Sequence, residues 1–228
     1  MPALITDLIG PDNFERVRDS LAAILLVESQ AQQALAVAAS QDPRLWKLRV
    51  FTERSQPWAV WQGNPPKNDS RVDTSPIVNV SFNRSGFDRA KGDIVERQAA
   101  DATFWIDCYG YGLSRDDGNS GHVAGDKEAA LDAQRAARLV RAILMAAAYV
   151  EVQRKGVVWQ RWVSSIETFS TQTEHAMQRI EGARVTFDCT FNEFSPQFKG
   201  VPLELISVGI KRAESGEIFF AADFPVGA

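Results

Sequence analysis

The segment Arg184-Val185-Thr186-Phe187-Asp188-Cys189-Thr190-Phe191 alternates strictly between apolar and polar residues. That two-residue period belongs to a strand with one face in a core and one face out. Ala102-Thr103-Phe104-Trp105-Ile106-Asp107-Cys108-Tyr109 repeats it, with Phe104, Ile106 and Cys108 in the inward phase. Val78, Val80 and Phe82 do the same against Asn79 and Ser81. The reading also places strands at Trp46–Phe51, Trp58–Trp61, Val157–Val163, Ser165–Ser170, Leu203–Ile210 and Ile218–Phe220.

Two segments carry a helical period. Phe14, Val17, Leu21, Ile24, Leu25, Ala31, Leu35 and Ala38 recur at three- and four-residue steps. Asp12 and Glu15 form a capping-box pattern after Pro11, and Asp42-Pro43 ends the run. A second helix is expected from an Asp126 N-cap to about Val150, with Ala130, Ala133, Ala137, Val140, Leu144 and Ala147 inward and Leu139 and Ile143 widening the stripe. Gly63–Ser70 and Gly110–Gly125 read as loops, the latter with five glycines. Helix, strands, helix, strands predicts an α+β fold with a mixed, mostly antiparallel sheet. The expected organisation is one domain over 1–228, with a core at roughly 11–194 and a strand extension at 195–228.

Composition narrows the function. The hydrophobic fraction is 45%, the charged fraction 24% and the formal net charge -4, with a pI of about 5.3. Those values fit a globular chain without a general affinity for nucleic acid or anionic membranes. Two cysteines make no disulfide framework. The run Leu21–Val27 faintly imitates a signal peptide, but Asp7, Asp12, Glu15 and Asp19 outnumber Arg16 and Arg18 before it. No stretch approaches the roughly twenty uninterrupted apolar residues of a membrane span.

Chemical motifs are sparse. Phosphate-binding glycine loops, a nucleophile elbow and zinc-type spacings are missing from the sequence. His122 and His175 each stand alone in polar surroundings. Asp107-Cys108 and Asp188-Cys189 are adjacent in strands, so each carboxylate points away from its thiol. Asp116-Asp117-Gly118-Asn119 offers oxygen ligands but lacks the chelating glutamate of a calcium loop. Trp105 falls on the polar phase of its strand, which points to a second packed layer or a subunit contact. With Tyr111, Arg115, Asp116 and Asp117 of the glycine loop it makes the candidate interface. Catalytic, cofactor and metal residues are expected to be absent, and the protein to be no enzyme. The alternative is a hydrolase using Asp107, Asp188 or Glu193, of which the two aspartates share a sheet face if their strands are neighbours.

The order of elements over roughly 11–194 resembles the tail terminator (tail completion) proteins of long-tailed bacteriophages. The resemblance rests on the N-terminal helix, Pro76–Val80, Ala102–Tyr109, the helix from Asp126, Val157–Trp159, Val163–Glu167 and Arg184–Phe191. It implies a homohexameric ring that caps the tail tube, stops its polymerisation and docks the head connector, without cofactor or catalysis. The implied partners are further copies, the tail tube protein, the connector, and DNA only in transit through the lumen, with no membrane. The implied location is the tail–neck region of the virion, after assembly in host cytoplasm. The segment Trp58–Pro66 and the strands after Pro202 exceed compact members of the family. They leave a neck adaptor or baseplate component as alternative roles.

Overall fold

The computed structural model describes residues 5, 8–61, 73–93, 97–116, 122–123, 125–175, 178–194, 205–211 and 218–225. The chain divides into two compact units, Leu8–Ser195 and a second made of Met1–Asp7 with Pro196–Ala228.

Helix α1 spans Asn13–Ala38. Its free N-terminal amides are met by carboxylates. Glu15 Oε2 accepts from the Asp12 N–H at 2.9 Å. Glu193 accepts from Asn13 and Phe14 at 2.8 and 2.9 Å, reaching from the far end of the unit. Val17, Leu21, Ile24 and Leu25 are wholly buried. Leu35, placed inward by periodicity, is exposed, and its neighbour Ala36 takes the buried position in the last turns of α1. By length and composition α1 could cross a bilayer, yet here its apolar stripe lies in the core.

The Leu8–Ser195 unit is built on a five-stranded sheet in the order β1-β2-β3-β7-β6. These strands are β1 (Arg49–Thr52), β2 (Ile77–Asp93), β3 (Arg97–Leu113), β6 (Val158–His175) and β7 (Gln178–Phe194). Two-residue strands β4 (Arg115–Asp116) and β5 (His122–Val123) pair beside them. Only β1–β2 is parallel. The fold is therefore α+β with a mixed, mostly antiparallel sheet, as the patterning predicts. In the second unit β8 (Leu205–Lys211) and β9 (Ile218–Pro225) form an antiparallel hairpin.

Helix α2 (Gly125–Leu144) stops before the expected Val150, and a 3-10 turn follows at Ala147–Tyr149. Its buried stripe is Ala129, Ala133, Ala136, Ala137, Val140, Ile143 and Leu144, so Ala129 and Ala136 join the expected face in place of Ala130, and Ala147 falls in the 3-10 turn beyond the helix. With α1 it covers the inward phase of the strands: Phe104, Ile106, Cys108, Val185, Phe187 and Phe191.

Gly110 and Gly112, expected in a loop, belong to β3. A Cβ at Gly110 would overlap the backbone of Ala129, and one at Gly112 the backbone of Gly125. Glycine here is the price of seating α2 directly on the strand. The expected strand Trp58–Trp61 is likewise replaced, whereas the expected strand Trp46–Phe51 is shortened at its start and forms as Arg49–Thr52. Pro43–Trp46 and Pro57–Trp61 are 3-10 turns, each opening with the proline that favours a helical first position. Only Arg49–Thr52 of the first region pairs.

Candidate functional site

The helices leave the other sheet face for function. Register lays it out in cross-strand rows. Ile77, Tyr109, Gly182 and Phe169 make one row, and Asn79, Asp107, Arg184 and Glu167 the next. Ser81, Trp105, Thr186 and Ser165 follow, then Arg84, Thr103, Asp188 and Trp162. Gly86, Asp101, Thr190 and Gln160 form the fifth row.

The first row is closed. The turn Pro57–Trp61 brings Trp61 against Tyr111, Ile77, Tyr109 and Ile180 in a second, smaller core. Trp61 and Tyr111 ring centroids lie 5.5 Å apart, and Tyr109 meets Trp58 at 5.1 Å. Phe169 seats its ring over Gly182, where a Cβ would overlap it. Tyr111, a candidate interface residue, is fully buried in this cluster. Its tyrosine ring answers Trp61 within the chain, and its loop assignment is overturned by the extension of β3. The side chains of Arg115 and Asp116 and the whole of Asp117 lie outside the described residues, as does the rest of the calcium-like loop.

Trp105 is on the outward face as its phase predicts, half-buried. Its ring carries the Arg184 guanidinium, centred 3.9 Å above. Arg184 reaches the Asp107 carboxylate twice, Nε to Oδ1 at 2.7 Å and Nη2 to Oδ2 at 2.9 Å. Tyr109 Oη donates to Asp107 Oδ2 at 3.4 Å. The hydrogen bond to Asp107 holds the Arg184 guanidinium above the ordinary arginine range. Sequence reasoning did not single out Arg184. Its strand phase was visible, but its partner depends on a register between strands 77 residues apart.

Lower rows are stitched by hydroxyls. Thr103 donates to Asp188 Oδ1 at 2.7 Å, Thr190 to Asp101 Oδ1 at 2.6 Å, and Ser165 to Thr186 Oγ1 at 3.1 Å.

These contacts separate the three carboxylates considered for acid–base work. β3 and β7 are neighbours, but Asp107 faces Arg184 and Asp188 faces Thr103. Four residues of strand, roughly 13 Å, lie between those rows. Asp107 is neutralised bidentately, and Glu193 caps α1. Burial pushes the Glu193 carboxyl above the usual range despite its two backbone donors. No two of the three share a substrate-sized site.

Both thiols are inert. Cys108 and Cys189 are free and buried, and burial raises both, Cys189 to about 12. The side chains of His122 and His175 lie outside the described residues. Among the described residues no group of three or more His, Cys, Asp or Glu could hold a metal ion.

One edge of the sheet stands out. β6 is its outermost strand, 18 residues long. Trp159, Trp162 and Ile166 on it are exposed. No protein-family model matches the chain, and no curated protein does.

Proposed function

We propose that this is a structural protein of a long-tailed phage tail or neck, which assembles as a ring, ends growth of the tail tube and receives the head connector. The observation that carries the reading is β6, a long outer strand bearing two exposed tryptophans. A free edge of that length is a template for pairing with another chain, and soluble proteins ordinarily blunt such edges. Contacts between unlike edges of successive copies close into rings. The element order of the family it resembles supports the same reading.

The three carboxylates are consistent with it, since each is tied into the fold rather than turned towards a substrate. On this reading the partners are further copies, six to a ring in the family pattern, the tail tube protein and the connector, with DNA passing through the lumen.

Light scattering on the full chain, alone and with purified tail tubes, tests the proposal. A defined ring in solution, or ring-sized density at tube ends by electron microscopy, is the expected result. A chain that stays monomeric at high concentration and leaves tubes undecorated overturns it. Tails made without the protein assign the role: overlong tails mark a terminator, and headless tails of normal length mark an adaptor.

A further inference from the structure

Below Trp105 the outer sheet face forms a groove across β2, β3, β7 and β6. Asp101 and Asp188 occupy diagonal positions on β3 and β7, each oriented by a threonine on the opposite strand. Trp162 stands directly across from Asp188 and is 62% exposed. On the β2 side the groove is kept low by Gly86. A Cβ there would meet nothing nearer than 4.0 Å, so packing does not require glycine at this position. A side chain at residue 86 would rise from the same face as Asp101 and fill the groove.

The same face already shows what a carboxylate and an indole hold between them. Asp107 and Trp105 clamp the Arg184 guanidinium, the carboxylate in its plane and the ring beneath it. Asp188 and Trp162 bring the same two groups together in a different arrangement, directly across from each other on β7 and β6, with Arg84 in the same cross-strand row and no ion pair between it and Asp188 among the described residues. Arg161 is in register with buried Cys189 and donates instead to the Ala146 carbonyl at 2.7 Å. Arg84 lies two strands from Asp188 and three from Trp162, roughly 10 and 14 Å by strand spacing.

We propose that this groove binds the guanidinium of an arginine presented by an extended segment of another protein, with Trp162 stacking on it and Asp188 accepting its N–H groups. Arg84 and Gln160, exposed at the two margins, donate to carbonyl oxygens of the segment's backbone. A planar, weakly hydrated guanidinium suits an indole face and a carboxylate better than an ammonium does. The inference shares Trp162 with the proposed contact between copies, so the titration is run on protein shown by light scattering to be unassembled, which keeps a failure of one reading distinct from a failure of the other.

The test titrates N-acetyl-arginine methylamide into the full-length ¹⁵N-labelled protein and follows the Trp162 indole N–H, assigned by its loss in Trp162→Phe. A saturable shift is expected, with the uncharged citrulline analogue binding at least about tenfold more weakly. Asp188→Asn and Gly86→Leu should each weaken arginine binding about tenfold or more, with folding intact by thermal melting. Should Asp188→Asn unfold, Gly86→Leu decides alone, because it alters no existing contact. Unsaturable shifts, equal binding of citrulline, or unchanged affinity in folded Gly86→Leu would each overturn the proposal. A shift produced by methyl glucoside and not by arginine would overturn it too, assigning the groove to a saccharide.

Discussion

The two ends of the outer sheet face are made by the same strands with the same alternation, yet one is a core and the other a surface. At the C-terminal end of β3 the outward positions are Tyr109 and Tyr111, and a 3-10 turn brings Trp61 down to cover them. At the other end they are Thr103 and Asp101, held by cross-strand hydroxyl–carboxylate pairs, the Thr103–Asp188 pair part-buried and the Thr190–Asp101 pair exposed. Alternation alone tells which residues face out. What covers an outward face is decided by residue type and by segments distant in sequence. Arg184 sits at the border, sharing the aromatic rings of one side and the carboxylates of the other.

The contrast is sharpest in two tryptophans. Trp61→Ala empties a site that is 1% exposed and should cost about 3–5 kcal/mol. Trp162→Ala removes an exposed ring and should stay within about 0.5 kcal/mol. Denaturant melts of both variants measure the difference, and equal losses would dissolve the distinction between the two ends.

The border gives the next effect. Arg184→Met strands a carboxylate that is largely buried, and a loss of about 2–3 kcal/mol is expected. Adding Asp107→Asn should recover part of it, since the amide leaves no unpaired charge. A double variant no more stable than Arg184→Met would mean that guanidinium packing on Trp105, rather than charge pairing, holds this border. Smaller than the border effect is Thr190→Val in the open end, where loss of one exposed hydrogen bond to Asp101 should cost below about 1 kcal/mol. A larger loss would show that the hydroxyl ladder is as structural as the aromatic cluster.

Much of this was legible in the sequence where the signal is local. The start of α1 follows from Asp12 and Glu15, and the inward phases of Phe104–Cys108 and Val185–Phe191 follow from period two. Local signals also misled. Gly110 and Gly112 carry loop chemistry, but they are absent side chains under a helix rather than flexible hinges. Tyr111 between them reads in consequence as an interface residue, yet it is buried against Trp61. Trp58–Trp61 has strand composition, and Pro57 with a buried aromatic partner turns it into a helical turn. Glu193 read as a candidate acid because its true partners, the amides of Asn13 and Phe14, are about 180 positions away. The groove was illegible for the same reason: Trp162, Asp188 and Asp101 meet only through register.

The reach of Glu193 back to the first turn of α1 also has a consequence in time. During synthesis the helix emerges first, and its amides wait until nearly the whole Leu8–Ser195 unit has left the ribosome. β3 must likewise wait for β7 before it has neighbours on both sides. Pairing across such separations makes folding slow and late. The cap on α1 is therefore among the last contacts of this unit to form, although the elements its apolar stripe packs against, β1, β2 and α2, are made well before it.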